Sequence, residues 1–172
     1  YELGKNFDVV KDTEIDLDEV GKFDVILITG SQKNVSEGDY EKNLVEVLKK
    51  YNYKPVLGIC YGHRLLANFH GCKVFRGKRI KGEIEVEIID EDELFEGLGK
   101  KILVDENHAD HVEYDKVNFE TSLKLLATSL FSEVEAFKHR KKPHYGVQFH
   151  IERSGKVGED ILRNFYKNVV RI

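Results

Sequence analysis

The chain has 172 residues, 41% hydrophobic and 34% charged, with 27 Lys+Arg against 31 Asp+Glu for a net charge of −4. That length suits a single domain over residues 1–172 with a sizeable core, and so mild a charge gives no footing for nucleic-acid or membrane-surface binding. No run approaches the ~20 apolar residues of a membrane helix and no secretory signal opens the chain, so the cytoplasm is the expected compartment.

In chain order, Tyr1-Glu2-Leu3-Gly4 reads as the tail of a helix, and the sequence contains no Met; a first strand and helix are expected to be missing. Phe7-Asp8-Val9-Val10 reads as a short strand. Residues 23–30 form a nearly unbroken apolar run ending in glycine, which suits a strand buried on both faces. Over 39–51, Leu44, Val45, Val47 and Leu48 recur among charges, predicting an amphipathic helix. Residues 55–60 read as a second buried strand and 62–70 as the helix after it. Strand, helix, strand, helix argues for a parallel sheet covered by helices.

The second half changes character. Residues 83–89 alternate charged and apolar side chains, as a half-exposed antiparallel strand does. Short strands are expected at 101–104, 124–128, 134–138 and 145–149, and a last helix over 158–170 with Ile161, Leu162, Phe165 and Val169 on one face. The fold class is therefore α/β: an open, mostly parallel sheet with helices on both faces, plus an antiparallel section late in the chain.

Two cysteines do not make a disulfide framework in a reducing compartment, and no Cys or His pair has zinc spacing. No metal and no cofactor is called for. Gly58-Ile59-Cys60-Tyr61-Gly62-His63 instead places a thiol where a buried strand turns into a helix, flanked by glycines that permit the turn. The helix N-terminus behind it would favour a thiolate and an oxyanion. A merely buried cysteine in such a turn is the bland alternative. Gly146-Val147-Gln148-Phe149-His150-Ile151-Glu152 supplies what that alternative lacks, a base and a carboxylate two residues on to orient it. Cys72, after Gly71, reads as an inert thiol. His63 reads as packing, His70, His111, His139 and His144 as surface or strand-end residues, and Lys138-His139-Arg140-Lys141-Lys142 as a solvated turn.

These two motifs, at this separation, resemble the class I glutamine amidotransferases, and within them the glutaminase subunit of archaeal-type GMP synthase. The likeness covers nearly all of the chain, including Asp90-Glu91-Asp92-Glu93-Leu94-Phe95-Glu96-Gly97-Leu98, His108-Ala109-Asp110 and Ile161-Leu162-Arg163-Asn164-Phe165. It implies a flavodoxin-like glutaminase fold in which Cys60 attacks the side-chain amide of glutamine, with His150 moving protons and Glu152 orienting it. It also implies an oxyanion hole from N–H groups near Ser31 and Tyr61. Gly30, Gly58, Arg64, His108 and Asp110 would surround the substrate. Ammonia would pass to an ATP-pyrophosphatase synthetase subunit that aminates XMP. For His108 and Asp110 a solvated turn between strands is the bland alternative.

Three departures from the family pattern stand out. Arg64 stands where the family has glutamine; a donor-only, permanently charged group cannot accept from an ammonium and would suit a carboxylate. Ser31 and Gln32 stand in Gly30-Ser31-Gln32 where the family has Gly-Pro, which puts the backbone of the oxyanion loop in question. Ile151 replaces a proline between the triad histidine and glutamate. Besides a working glutaminase, two functions stay open: a γ-glutamyl hydrolase in which Arg64 reads a different α-substituent, and a weak regulatory homologue.

Overall fold

The structure, a computed structural model, describes residues 7–171. The expected helix tail at Tyr1-Glu2-Leu3-Gly4 lies outside the described residues. Phe7-Asp8-Val9-Val10 forms no strand; Phe7 is 60% and Val9 88% exposed, so the run covers no apolar surface.

Seven strands are described: β1 (Ile26–Ile28), β2 (Val56–Ile59), β3 (Val74–Ile88), β4 (Lys101–Val112), β5 (Leu123–Thr128), β6 (Ala136–His139) and β7 (His144–Val147). Five α-helices accompany them: α1 (Leu17–Val20), α2 (Lys42–Lys50), α3 (Tyr61–Phe69), α4 (Lys116–Ser122) and α5 (Gly155–Asn164). The expected final helix is α5 running on into a π-helical stretch, Phe165–Val170. The expected strands at 83–89 and 101–104 are the C-terminal end of β3 and the N-terminal end of β4, two much longer partners.

The strands form one sheet in the order β1-β2-β7-β6-β5-β3-β4. Only β1–β2 and β2–β7 pair in parallel; the other four pairings are antiparallel. The sheet is therefore mixed, which corrects the expectation of a mostly parallel one. Parallel neighbours need a long crossover, whereas the short returns from β5 to β6 and from β6 to β7 leave only antiparallel pairing. The sheet also curls: on β4, at the far end of the order, Asp105 makes an isolated antiparallel bridge with His150 just past β7.

Alternation along β2 feeds two cores. Leu57 and Ile59 pack with Val147, Phe149, Ile161 and Phe165 on the α5 side. Val56 packs with Leu44, Leu48, Leu65 and Leu66 on the side of α2 and α3. With both faces covered, β2 is buried at every residue, and its only route outward is its C-terminal end. No helix among the described residues is long and apolar enough to cross a membrane.

Candidate active site

β2 ends at Ile59, and Cys60 caps α3 with φ 53° and ψ −99°. A non-glycine residue there costs about 1–3 kcal/mol and persists only when its surroundings enforce it. The enforcement is visible on either side. A β-carbon at Gly62 would lie 2.1 Å from the carbonyl oxygen of Ile28, and one at Gly58 would lie 2.4 Å from that of Gly62. The two glycines thus let the first turn of α3 sit directly on β1 and β2, and the chain can reach α3 only through a sharp turn at Cys60. Gly58 serves this packing and does not line the pocket.

Cys60 and His150 follow the C-terminal ends of two adjacent parallel strands, where open α/β sheets place their sites. The His150 N–H donates to the Asp105 carbonyl at 2.8 Å, which ties the segment after β7 to β4. In the ring, Nδ1 lies 2.5 Å from Glu152 Oε1. A carboxylate only accepts, so Nδ1 donates and Nε2 is left for the sulfur. The influence of Cys60, followed by the bond to Glu152, outweighs partial burial and pushes the His150 pKa up to about 9. Burial works against ionising Glu152, yet the bond to His150 and its own backbone N–H bring its pKa below the usual range.

An open pocket of about 800 Å³ spreads from Cys60. Gly30 and Ser31, after β1, form one wall; a β-carbon on Gly30 would come within 3.1 Å of His150 Cε1. Ser31 is not among the positive-φ residues, so its side chain meets no backbone obstacle there. Its hydroxyl accepts from the Lys33 N–H at 3.2 Å. The Tyr61 N–H, in the first turn of α3, has no acceptor within the helix.

Arg64 reaches the pocket one turn after Cys60 and is only 4% exposed. Its Nε and Nη1 have no hydrogen-bond partner. A buried cation left this way is costly unless an anion joins it. The opposite wall comes from β4. His108 and Asp110 lie inside that strand and are 4% and 2% exposed, so the alternative of a solvated turn does not hold. Asp110 accepts from Ser36 N–H at 3.0 Å and from Ser36 Oγ at 2.8 Å, pinning the loop that carries Ser31. Between them, the Asn107 carbonyl lies 4.0 Å from Cys60 Sγ, and Arg79 Nη2 donates to Asn107 Oδ1 at 2.7 Å. Arg79 and Ser36 carried no signal in the sequence, because their partners are distant along the chain; Asn107 stood out only by standing where the resemblance has a serine before His108.

Several histidines are more buried than expected. His144 is 0% and His111 6% exposed, and His70 Nε2 lies 2.9 Å from His144 Nδ1, with both rings held neutral chiefly by burial. His63 is fully buried against Phe137, as a packing residue would be. Burial pushes the Cys72 thiol up to about 11, consistent with an inert group.

Comparison with known proteins places this arrangement in context. The family profile described as glutamine amidotransferase class-I matches residues 1–169. The chain is 44% identical over 144 residues to the glutamine-hydrolyzing GMP synthase subunit of Pyrococcus abyssi, covering 83% of this chain and 73% of that protein. The Pyrococcus furiosus protein of the same name gives the same identity and coverage. A crystal structure of a GMP synthase subunit from Thermoplasma acidophilum superposes with a TM-score of 0.81 at 32% identity, covering 95% of this chain and 81% of that one. A glutamine amidotransferase from Thermotoga maritima shares the fold, with a TM-score of 0.73 at 22% identity over 89% of this chain and 80% of its own.

Proposed function

The chain belongs to the class I glutamine amidotransferase family, and from that premise we propose that it hydrolyses glutamine at Cys60 and hands the ammonia to an ATP-pyrophosphatase synthetase subunit for GMP synthesis from XMP. The observation that carries this is the convergence of a strained cysteine, a histidine whose pKa that cysteine raises and a glutamate bonded to that histidine, at the ends of neighbouring strands.

The chemistry follows from these groups. Cys60 attacks the side-chain amide carbon of glutamine as a thiolate, and the carbonyl oxygen becomes an oxyanion. The N–H groups of Ser31 and Tyr61 receive that charge. His150, held protonated by Cys60 and Glu152, gives its proton to the departing nitrogen, and ammonia leaves. The neutral imidazole then takes a proton from water, which cleaves the γ-glutamyl thioester and releases glutamate. Glu152 keeps the ring in one tautomer throughout.

Around the substrate, Gly30 gives the ligand close access beside His150, and Gly58 sets the height of α3 beneath it. His108 and Asp110 shape the β4 wall, and Arg64, whose Nε and Nη1 have no partner, offers its guanidinium to the α-carboxylate. One observation favours a variant of this function: that guanidinium would equally accept another anionic α-substituent, as in a γ-glutamyl hydrolase. The free thiols of Cys60 and Cys72 fit a reducing, cytoplasmic setting.

The test is ammonia release from glutamine by the purified chain, with and without an ATP-pyrophosphatase subunit, ATP and XMP, beside a Cys60→Ala control. Release that persists in Cys60→Ala removes the triad. Turnover of γ-glutamyl amines without turnover of glutamine selects the hydrolase.

A further inference from the structure

Behind the pocket wall the fold buries two acids that the reaction above does not use. Glu106 on β4 and Glu135 just before β6 are each 1% exposed. Glu106 Oε2 lies 2.7 Å from His108 Nε2, with both side chains wholly buried. Residues 106 and 108 share a face of β4, and that face looks inward under the pocket.

We propose that Glu106 is a positioning residue for the glutaminase site, a neutral acid that donates a hydrogen bond to His108 and so fixes this imidazole in the pocket wall, with Glu135 donating to Glu106 in turn. The proposal rests on the glutaminase function above.

The direction of each bond follows from the partners. His108 Nδ1 lies 2.9 Å from the Asp110 carbonyl, which can only accept, so Nδ1 carries the ring proton. A neutral ring of that tautomer has a lone pair at Nε2, and the contact with Glu106 then requires a proton on Glu106. Glu106 Oε1, Glu106 Oε2, Glu135 Oε2 and His108 Nε2 are all buried without a hydrogen-bond partner among the groups that donate when both acids are ions. One proton on each acid supplies them all, with Glu135 donating to Glu106 and Glu106 to His108. At the outer end, Ser129 Oγ donates to Glu135 Oε1 at 2.6 Å. A directional chain thus runs from Ser129 through both acids and His108 to the Asp110 backbone, and the Asp110 side chain holds Ser36.

The electrostatics agree. Burial keeps His108 neutral, lifts Glu106 to about 7 and raises Glu135 well above the carboxylate range. Of the charged neighbours, His150 and Arg64 favour ionising Glu106, while Asp105 opposes it.

Glutamine kinetics on Glu106→Ala and Glu106→Gln, with the ¹⁵N imidazole spectrum of His108, test the assignment. Glu106→Ala leaves Nε2 without a donor and should raise KM about tenfold, with a smaller change in kcat. Glu106→Gln keeps a donor for Nε2 and an acceptor for Glu135, and should stay within about threefold of the parent. The His108 spectrum should show the neutral Nδ1–H tautomer at about pH 6.5 in the parent and in Glu106→Gln. Equal impairment of both variants, an unchanged KM in Glu106→Ala, or an imidazolium or Nε2–H tautomer at His108 would each overturn it. The spectra need neither turnover nor a folded alanine variant. A chain that fails to hydrolyse glutamine therefore sinks the proposed function while the role of Glu106 is still decided.

Discussion

The N–H of Cys60 donates to the carbonyl of Val147 across 2.9 Å, so the residue after β2 is locked to the last residue of β7. His150 lies three residues beyond Val147, and thiol and imidazole therefore share one rigid strand pair. Losing the thiol should act on both. Cys60→Ala is expected to cut glutamine hydrolysis by about 10³-fold or more. It should also remove the largest cause of the raised His150 pKa, so the NMR titration midpoint falls from about 9 toward the ordinary imidazole value.

The same shift has a sign in stability. His150 binds its proton more tightly folded than unfolded, with a folded value of about 9 against an unfolded one near ~6.5. The stabilisation is complete below the unfolded value and is lost as pH rises through about 9. Urea unfolding at a series of pH values should show the parent losing stability across that window, and Cys60→Ala losing less.

Gly62→Ala should be among the most damaging single changes, because its new methyl would press on the Ile28 carbonyl at 2.1 Å and backbone cannot yield cheaply. A loss of about 3 kcal/mol or more is expected in chemical denaturation. Gly38→Ala meets no neighbouring atom and should cost only the strain of its φ of 74°.

Arg64→Leu tests the carboxylate contact. A charge-assisted hydrogen bond is worth about 1.5–3 kcal/mol, so KM for glutamine should rise about 10- to 100-fold with less effect on kcat. Glutaminamide, which lacks the carboxylate, should be a poor substrate for the parent and lose little further in Arg64→Leu. A glutamine KM unmoved by the substitution would end this role for Arg64.

Asp110→Ala frees Ser36 from both of its bonds to the buried carboxylate. We expect a loss of about 2 kcal/mol and faster amide exchange across residues 31–37, read by hydrogen–deuterium exchange. Rates in α5, on the far side of the sheet, should stay the same.

What the sequence disclosed depended on how local each feature was. Gly58, Cys60 and Gly62 lie within five residues, and His150 and Glu152 within three, so each half of the site could be read as a short pattern. Ser36 and Asp110 are 74 positions apart, and no periodicity links them. Glu106 and Glu135 each look like the polar half of an alternating strand, and nothing in the local pattern shows that both are buried. Strand direction was half legible. The apolar runs identified β1 and β2 as parallel neighbours, but the return of β7 to their side, with β6 and β5 following it antiparallel, depends on connections whose paths leave no mark in hydrophobic pattern.

The bridge between Asp105 and His150 makes the proposed triad histidine sensitive to counting errors in a strand that holds neither Cys60 nor Glu152. Deleting Asp105 from β4 would exchange inward and outward side chains along the rest of the strand. Glu106 would then face solvent, the docking point for His150 would move by a full pleat, and a protein with an unaltered triad would be expected to fall silent.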